Sequence, residues 1–357
     1  MGLKVSFNTS RQRRALRLVG VLVFVTVVYL LLPSEVPEES VNMPSVTSIP
    51  PAGTKAKPYS VEKDVHPLYD KDDKPLPLPL ALGALFPYDP IQKLPKYIWQ
   101  TWKVSPSDDG FPAQFRQAHD TWSRLHGEYV HEVVTDAMTL PLLHHLYAAV
   151  PDVIKAYEAL PMPVLKADFF RYLILLARGG VYSDIDTHAL KPAVDWVPDA
   201  LRQRVGLVVG IEADPDREDW ADWYSRRIQF CQWTILAKPG HPILRDVVVR
   251  ITEETLKRKH RGTLHKDQKG VVEFTGPAIW SDVIMDYFDT TTSGGITWES
   301  FTLLKSPKRV NDVVVLPITG FSPGVGQMGS RDTGDPQAMV RHTFEGSWKP
   351  ESERMSA

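Results

Sequence analysis

The sequence predicts an α/β fold around a mostly parallel sheet, carried behind one N-terminal membrane-spanning helix and an extended stem. Three observations carry this. Strand-like and helix-like segments alternate over residues 91–350, the pattern of a sheet wrapped by helices. An uncharged run from Leu18 to Leu32 follows a basic N-terminus. Between the two, residues 33–90 hold 12 of the 30 prolines, mixed with Ser, Glu, Lys and Asp and lacking any helical or strand period.

In chain order, residues 1–14 form a tail in which Lys4, Arg11, Arg13 and Arg14 stand without any acidic residue. Positive charge on that side of an apolar run orients it with the N-terminus in the cytosol. Residues 15–32 are the expected signal-anchor, long enough to span when Arg17 snorkels. A cleaved signal peptide would end at small residues, whereas this run ends Leu30-Leu31-Leu32-Pro33-Ser34. Residues 33–90 then read as the stem, 91–350 as the folded domain and 351–357 as a short tail.

Within the domain, Lys96–Trp102 alternates like a strand. A helix is expected over Phe115–His126, a strand over Tyr129–Val134, and helix over Leu140–Tyr157 with Pro151 marking a break or a new first turn. Val164–Arg178 reads as a strongly apolar helix closed by Gly179-Gly180. Strands follow at Val181–Ser183, Leu207–Ile211 and Thr234–Ala237, and a helix at Asp246–Lys259.

Composition narrows the function classes. A net charge of −2 with 24% charged residues offers no basic excess for nucleic acid. One cysteine, Cys231, excludes an intramolecular disulfide. Ten tryptophans suit either sugar stacking or a large core.

Chemistry concentrates in Asp184-Ile185-Asp186. In an extended chain, residues two apart share a face, so the carboxylates would sit together at a strand end with Ile185 turned into the core. Like charges so placed call for a cation between them. Mg²⁺ or Mn²⁺ fits oxygen ligands and bridges to a diphosphate, and strand ends of open α/β sheets are where ligands bind. Asp168 and Arg171 are helical neighbours on an otherwise apolar helix. They form either a structural ion pair or the lining of a donor pocket, with Asp168 accepting bonds from sugar hydroxyls. His342 is a possible third metal ligand, and Lys349 a cation for a leaving diphosphate.

The segments Lys96–Lys103, Leu165–Thr187, Gly210–Gln232, Thr275–Asp282, Pro317–Gly329 and His342–Lys349 together resemble glycosyltransferase family 32, and within it the fungal initiation-specific alpha-1,6-mannosyltransferases. The resemblance covers about residues 91 to 350. It implies a GT-A-type nucleotide-sugar-binding fold, GDP-mannose as donor, Mn²⁺ as cofactor, and retention of configuration in transfer to a Man8-type N-glycan of a glycoprotein. It also implies a single-pass type II Golgi membrane protein with a lumenal catalytic domain. The spacing of Asp168, Arg171, Asp184 and Asp186 is similar to that of glucosylating bacterial toxins, where such positions contact donor and metal. Tyr172 joins this donor-binding set. Trp99 is either a guanine contact or a core aromatic, and Glu212, Asp214 and Asp282 are carboxylates that could orient the acceptor. Other readings are a sphingolipid head-group acceptor, a subunit of a mannan-elongating complex, or a lumenal lectin or scaffold with a degenerate site.

Overall fold

The computed structural model describes residues 68–69, 71–72, 74–215, 217–265 and 270–346. The expected anchor at 15–32, most of the stem and Lys349 lie outside the described residues. No helix among the described residues is long and apolar enough to cross a membrane.

The principal elements are α1 (Leu78–Leu85), β1 (Tyr97–Trp102), α2 (Ala113–Leu125), β2 (Val130–Thr135), α3 (Asp136–Tyr147), α4 (Pro151–Ala159) and α5 (Pro163–Arg178). They continue with β3 (Gly180–Ser183), β4 (Thr187–Ala189), β5 (Leu207–Ala213), β6 (Gln229–Phe230), β7 (Thr234–Ala237) and α6 (Pro242–His260). The domain closes with α7 (Pro277–Thr292), β8 (Lys308–Val310), β9 (Val313–Leu316) and β10 (Val340–His342).

The eight-stranded sheet has the order β2-β1-β3-β7-β5-β9-β8, with β6 paired to β5. The sheet is mixed. Strands β1, β2, β3, β5 and β9 run one way, and β6, β7 and β8 run against them. The strand order reverses between β1 and β3, which opens a crevice at their carboxyl ends. Both sheet faces are buried. Leu207, Val209 and Ile211 enter one core with Phe169, Phe170 and Trp280, while Val208 enters the other with Trp122, Trp196 and Phe321. That is why β5 reads as an apolar run from Leu207 to Ile211, as does β9, whose Val313–Leu316 alternates between the same two cores.

Local chemistry accounts for the elements around the crevice. Pro163 opens α5 in its first turn, where a missing N–H costs nothing. Ten of its 16 residues are buried, so it is a central helix with no solvent face. Gly179 (φ 64°) and Gly180 (φ 94°) turn the chain from helix to strand. A Cβ on Gly180 would lie 2.7 Å from the carbonyl oxygen of Tyr97, so the glycine also lets β3 approach β1. Pro151 starts a new helix, α4, rather than kinking a long one.

The stretch expected to be extended stem is in part folded. Helix α1 falls inside residues 33–90, with Leu82 fully buried and its flank fixed by Lys238 Nζ donating to Pro90 O at 2.6 Å. Pro75, Pro77 and Pro79 mask the helix in sequence, yet Pro77 is its N-cap and Pro79 sits in its first turn, where proline is tolerated.

Candidate functional site

The metal-binding candidates meet at the crevice. β3 ends at Ser183, so Asp184 and Asp186 lie in the turn before β4 rather than on alternate positions of a strand as expected. The turn brings the carboxylates together while Ile185 packs between Phe111 and Phe115, as its apolar character requires. β10 pairs antiparallel with β4, setting His342 opposite Thr187. One ligand atom from each of Asp184, Asp186 and His342 falls within 4.8 Å of the others.

Each carboxylate is held in a definite pose. Arg171 NH2 and Tyr182 OH both donate to Asp184 Oδ1 at 3.0 Å. The backbone N–H of Asp184 bonds Trp233 O at 2.8 Å. Behind it, buried Gln100 donates Nε2 to Asp184 O at 3.1 Å and accepts from His131 Nε2 at 2.9 Å. Burial pushes the His131 imidazole down to about 3, so the neutral ring keeps this chain of bonds fixed. Asp186 Oδ1 lies 3.1 Å from His342 Nε2, and Oδ2 accepts from the Glu345 N–H at 3.2 Å.

The two carboxylates are driven apart electrostatically. Burial, then the charge of Asp186, raises Asp184 despite Arg171. Burial opposes ionisation of Asp186 as well, but His342 and two backbone amides hold its carboxyl below the usual range. Two carboxylates and an imidazole, converging beside a single guanidinium, fit a hard divalent cation that also accepts nitrogen, Mn²⁺ or Mg²⁺.

Asp168 and Arg171 stand one turn apart on α5, ion-paired at 2.9 Å and almost wholly buried. Asp168 also accepts from Thr275 Oγ1 at 2.9 Å and Gln232 Nε2 at 3.3 Å, and burial raises its carboxyl to about 6. Asp168 thus pairs with Arg171 through Oδ1 while Thr275 steadies Oδ2, and Arg171 in turn reaches Asp184. Tyr172 OH donates to Gln232 Oε1 at 2.7 Å, and its ring stacks on Trp280. Trp99 Nε1 donates to Gly179 O at 2.9 Å, so the indole secures the glycine hinge.

The three candidate acceptor carboxylates separate. Asp214 is buried and accepts from Thr302 Oγ1 (2.7 Å), Leu303 N (2.6 Å) and Arg227 NH1 (3.4 Å). Asp282 receives two bonds of 2.6 Å from Arg226. Glu212 alone keeps a buried oxygen, Oε2, with no partner among the described residues, and burial raises its carboxyl to about 7. The sequence reading passed over Gln100, Tyr182, Gln232 and Thr275. Of these, only Tyr182 carried a local signal, lying two residues before Asp184 in the same strand-to-turn segment.

The paired carboxylates stand at the switch point of the α/β sheet, and residues 112–203 match the family described as a glycosyltransferase sugar-binding region containing a DXD motif. The chain is therefore a glycosyltransferase of the DXD class. It is 47% identical over 290 residues to the initiation-specific alpha-1,6-mannosyltransferase of Candida albicans, covering 75% of each chain. The enzyme of the same name from Schizosaccharomyces pombe is 50% identical over 259 residues, covering 72% of this chain and 64% of that one. The Saccharomyces cerevisiae enzyme is 35% identical over 417 residues, covering 84% and 85%. The chain belongs to the initiation-specific alpha-1,6-mannosyltransferase family.

Proposed function

We propose that this chain moves mannose from GDP-mannose in alpha-1,6 linkage, with retention, onto the N-glycan core of glycoproteins and so starts the outer chain. The observation that carries the reading is the convergence of Asp184, Asp186 and His342 in a chain related to initiation-specific enzymes over three quarters of its length.

Asp186, Asp184 and His342 would hold the divalent cation, whose charge would neutralise the diphosphate of the donor. Arg171 fixes Asp184 and brings a second positive charge behind it. In the reaction the bond from the mannose anomeric carbon to the diphosphate oxygen breaks and a bond to the acceptor 6-hydroxyl oxygen forms on the same face. The hydroxyl proton leaves with the departing diphosphate. Lys349, outside the described residues, would add charge to that leaving group. The basic tail and apolar run of residues 1–32 support a single-pass type II anchor with this domain on the lumenal side, and the outer-chain reading assigns it to the Golgi.

The test incubates the full-length chain with Mn²⁺, GDP-mannose and a Man8-type N-glycan, and counts added hexoses by mass spectrometry. One alpha-1,6-linked mannose, lost on chelation, is expected. Absence of both transfer and GDP binding would overturn the reading.

A further inference from the structure

Besides Arg171 Nε and Nη1, four buried polar atoms without hydrogen-bond partners among the described residues belong to side chains beside the metal centre. They are Glu212 Oε2, Gln229 Oε1, Trp233 Nε1 and His342 Nδ1. They form one group. Gln229 stands opposite Ala213 beside Glu212 on the paired strand, and Glu212 lies within electrostatic reach of His342 and Arg171. The rings of Trp233 and His342 are 4.8 Å apart. Buried polar groups are almost always satisfied, and leaving one without a partner is costly. Several together beside a reaction centre mark the place of an absent polar ligand.

The backbone points the same way. β5 pairs Ile211 with Phe230 and Ala213 with Gln229, so one extra residue, Glu212, is accommodated between them. Such a bulge removes a side chain from the strand's alternation and re-aims it, a device common beside active sites. The next carboxylate along, Asp214, is engaged by the distant loop at Thr302 and Leu303, and Asp282 by Arg226.

We propose that Glu212 is the acceptor-binding carboxylate, its Oε2 receiving a hydrogen bond from a hydroxyl of the acceptor mannose while Gln229 and Trp233 engage neighbouring hydroxyls. The donor and acceptor atoms left open, a carboxylate and an amide oxygen beside an indole N–H, match the mixed hydrogen bonding of a polyol. The proposal rests on the mannosyl-transfer reading above and names the side of that site where the second substrate sits.

The experiment compares the parent chain with Glu212→Gln and Glu212→Asp, using Mn²⁺, GDP-mannose and the Man8-type glycan. Glu212→Gln should lose about 50-fold or more in kcat/KM for transfer, while GDP affinity stays within about threefold. Glu212→Asp keeps the charge on a shorter arm and should raise the acceptor KM about tenfold with the KM for GDP-mannose unchanged. If Glu212→Gln fails to fold, the KM split in Glu212→Asp decides. Transfer within about threefold of the parent, or GDP affinity falling in step with transfer, would overturn the proposal. A parent that transfers no mannose sinks the functional reading and this proposal together. An active parent with an unimpaired Glu212→Gln sinks this proposal alone.

Discussion

His342 Nε2 lies 3.1 Å from Asp186 Oδ1 although 156 residues of chain separate them. The β4–β10 pairing makes the contact, so the last described strand completes a centre that the Asp-Ile-Asp turn begins. His342→Ala should therefore weaken Mn²⁺ binding by about 10-fold or more, roughly 1.4 kcal/mol per tenfold. Titrating Mn²⁺ against GDP binding measures it, and an unchanged midpoint would remove His342 from the ligand set.

Arg171 holds a carboxylate on either side, Asp168 at 2.9 Å and Asp184 at 3.0 Å. Truncating it leaves Asp168 buried and unpaired, so Arg171→Leu should cost about 3–5 kcal/mol of stability. Asp184 is more exposed than either. Asp184→Asn should abolish transfer and shift stability by only about 1 kcal/mol. Denaturant unfolding of the two variants beside a transfer assay separates these effects; equal destabilisation would mean Asp184 is structural.

Far from the site, Asp312 accepts hydrogen bonds from Tyr88 and from Tyr287 (2.7 Å), with His241 Nε2 at 3.5 Å. Burial opposes its ionisation, yet the His241 imidazole and the two hydroxyls hold the carboxyl well below the usual range. A depressed native value stabilises the fold above the unfolded carboxyl pKa, about 3.9, and that contribution fades as pH falls below it. Asp312→Asn should therefore be less stable than the parent at neutral pH, with the gap closing in acid. Urea midpoints across the acid range would show it, and a gap independent of pH would contradict the assignment.

Gly180 has φ 94° and would place a Cβ 2.7 Å from Tyr97 O. Gly180→Ala combines a left-handed strain with a backbone clash in the β1–β3 pair, each worth about 1–3 kcal/mol. A fall in melting temperature is expected together with loss of activity, because Asp184 follows four residues later. A melting temperature equal to the parent's would show that β3 can move aside.

Much of the domain was legible because its signals are local. The apolar helix ending at Gly179-Gly180, the continuous run of β5 and the role of Pro151 follow from periodicity and from where glycine and proline are tolerated. Helix α1 was missed because three prolines imitate an extended segment, and only its packing, with Leu82 fully buried, shows that they occupy positions a helix accepts. Strand β9 (Val313–Leu316) carries a local apolar signal too, although it lies just before the Pro317–Gly329 segment.

By itself the sequence determined the paired aspartates, the burial of Ile185 between them, and the helix that carries Asp168 and Arg171 on one face. These depend on residues within one or two turns of each other. Tertiary structure decided which groups the carboxylates face. It spent Asp168 on Arg171, Thr275 and Gln232, gave Asp214 to the loop at Thr302 and Leu303, joined His342 to Asp186, and left Glu212 open on its bulge. Apart from the local Asp168–Arg171 pair, those partners lie tens to more than a hundred residues apart, and hydrogen bonding between them is set by strand order and register, which no local period encodes.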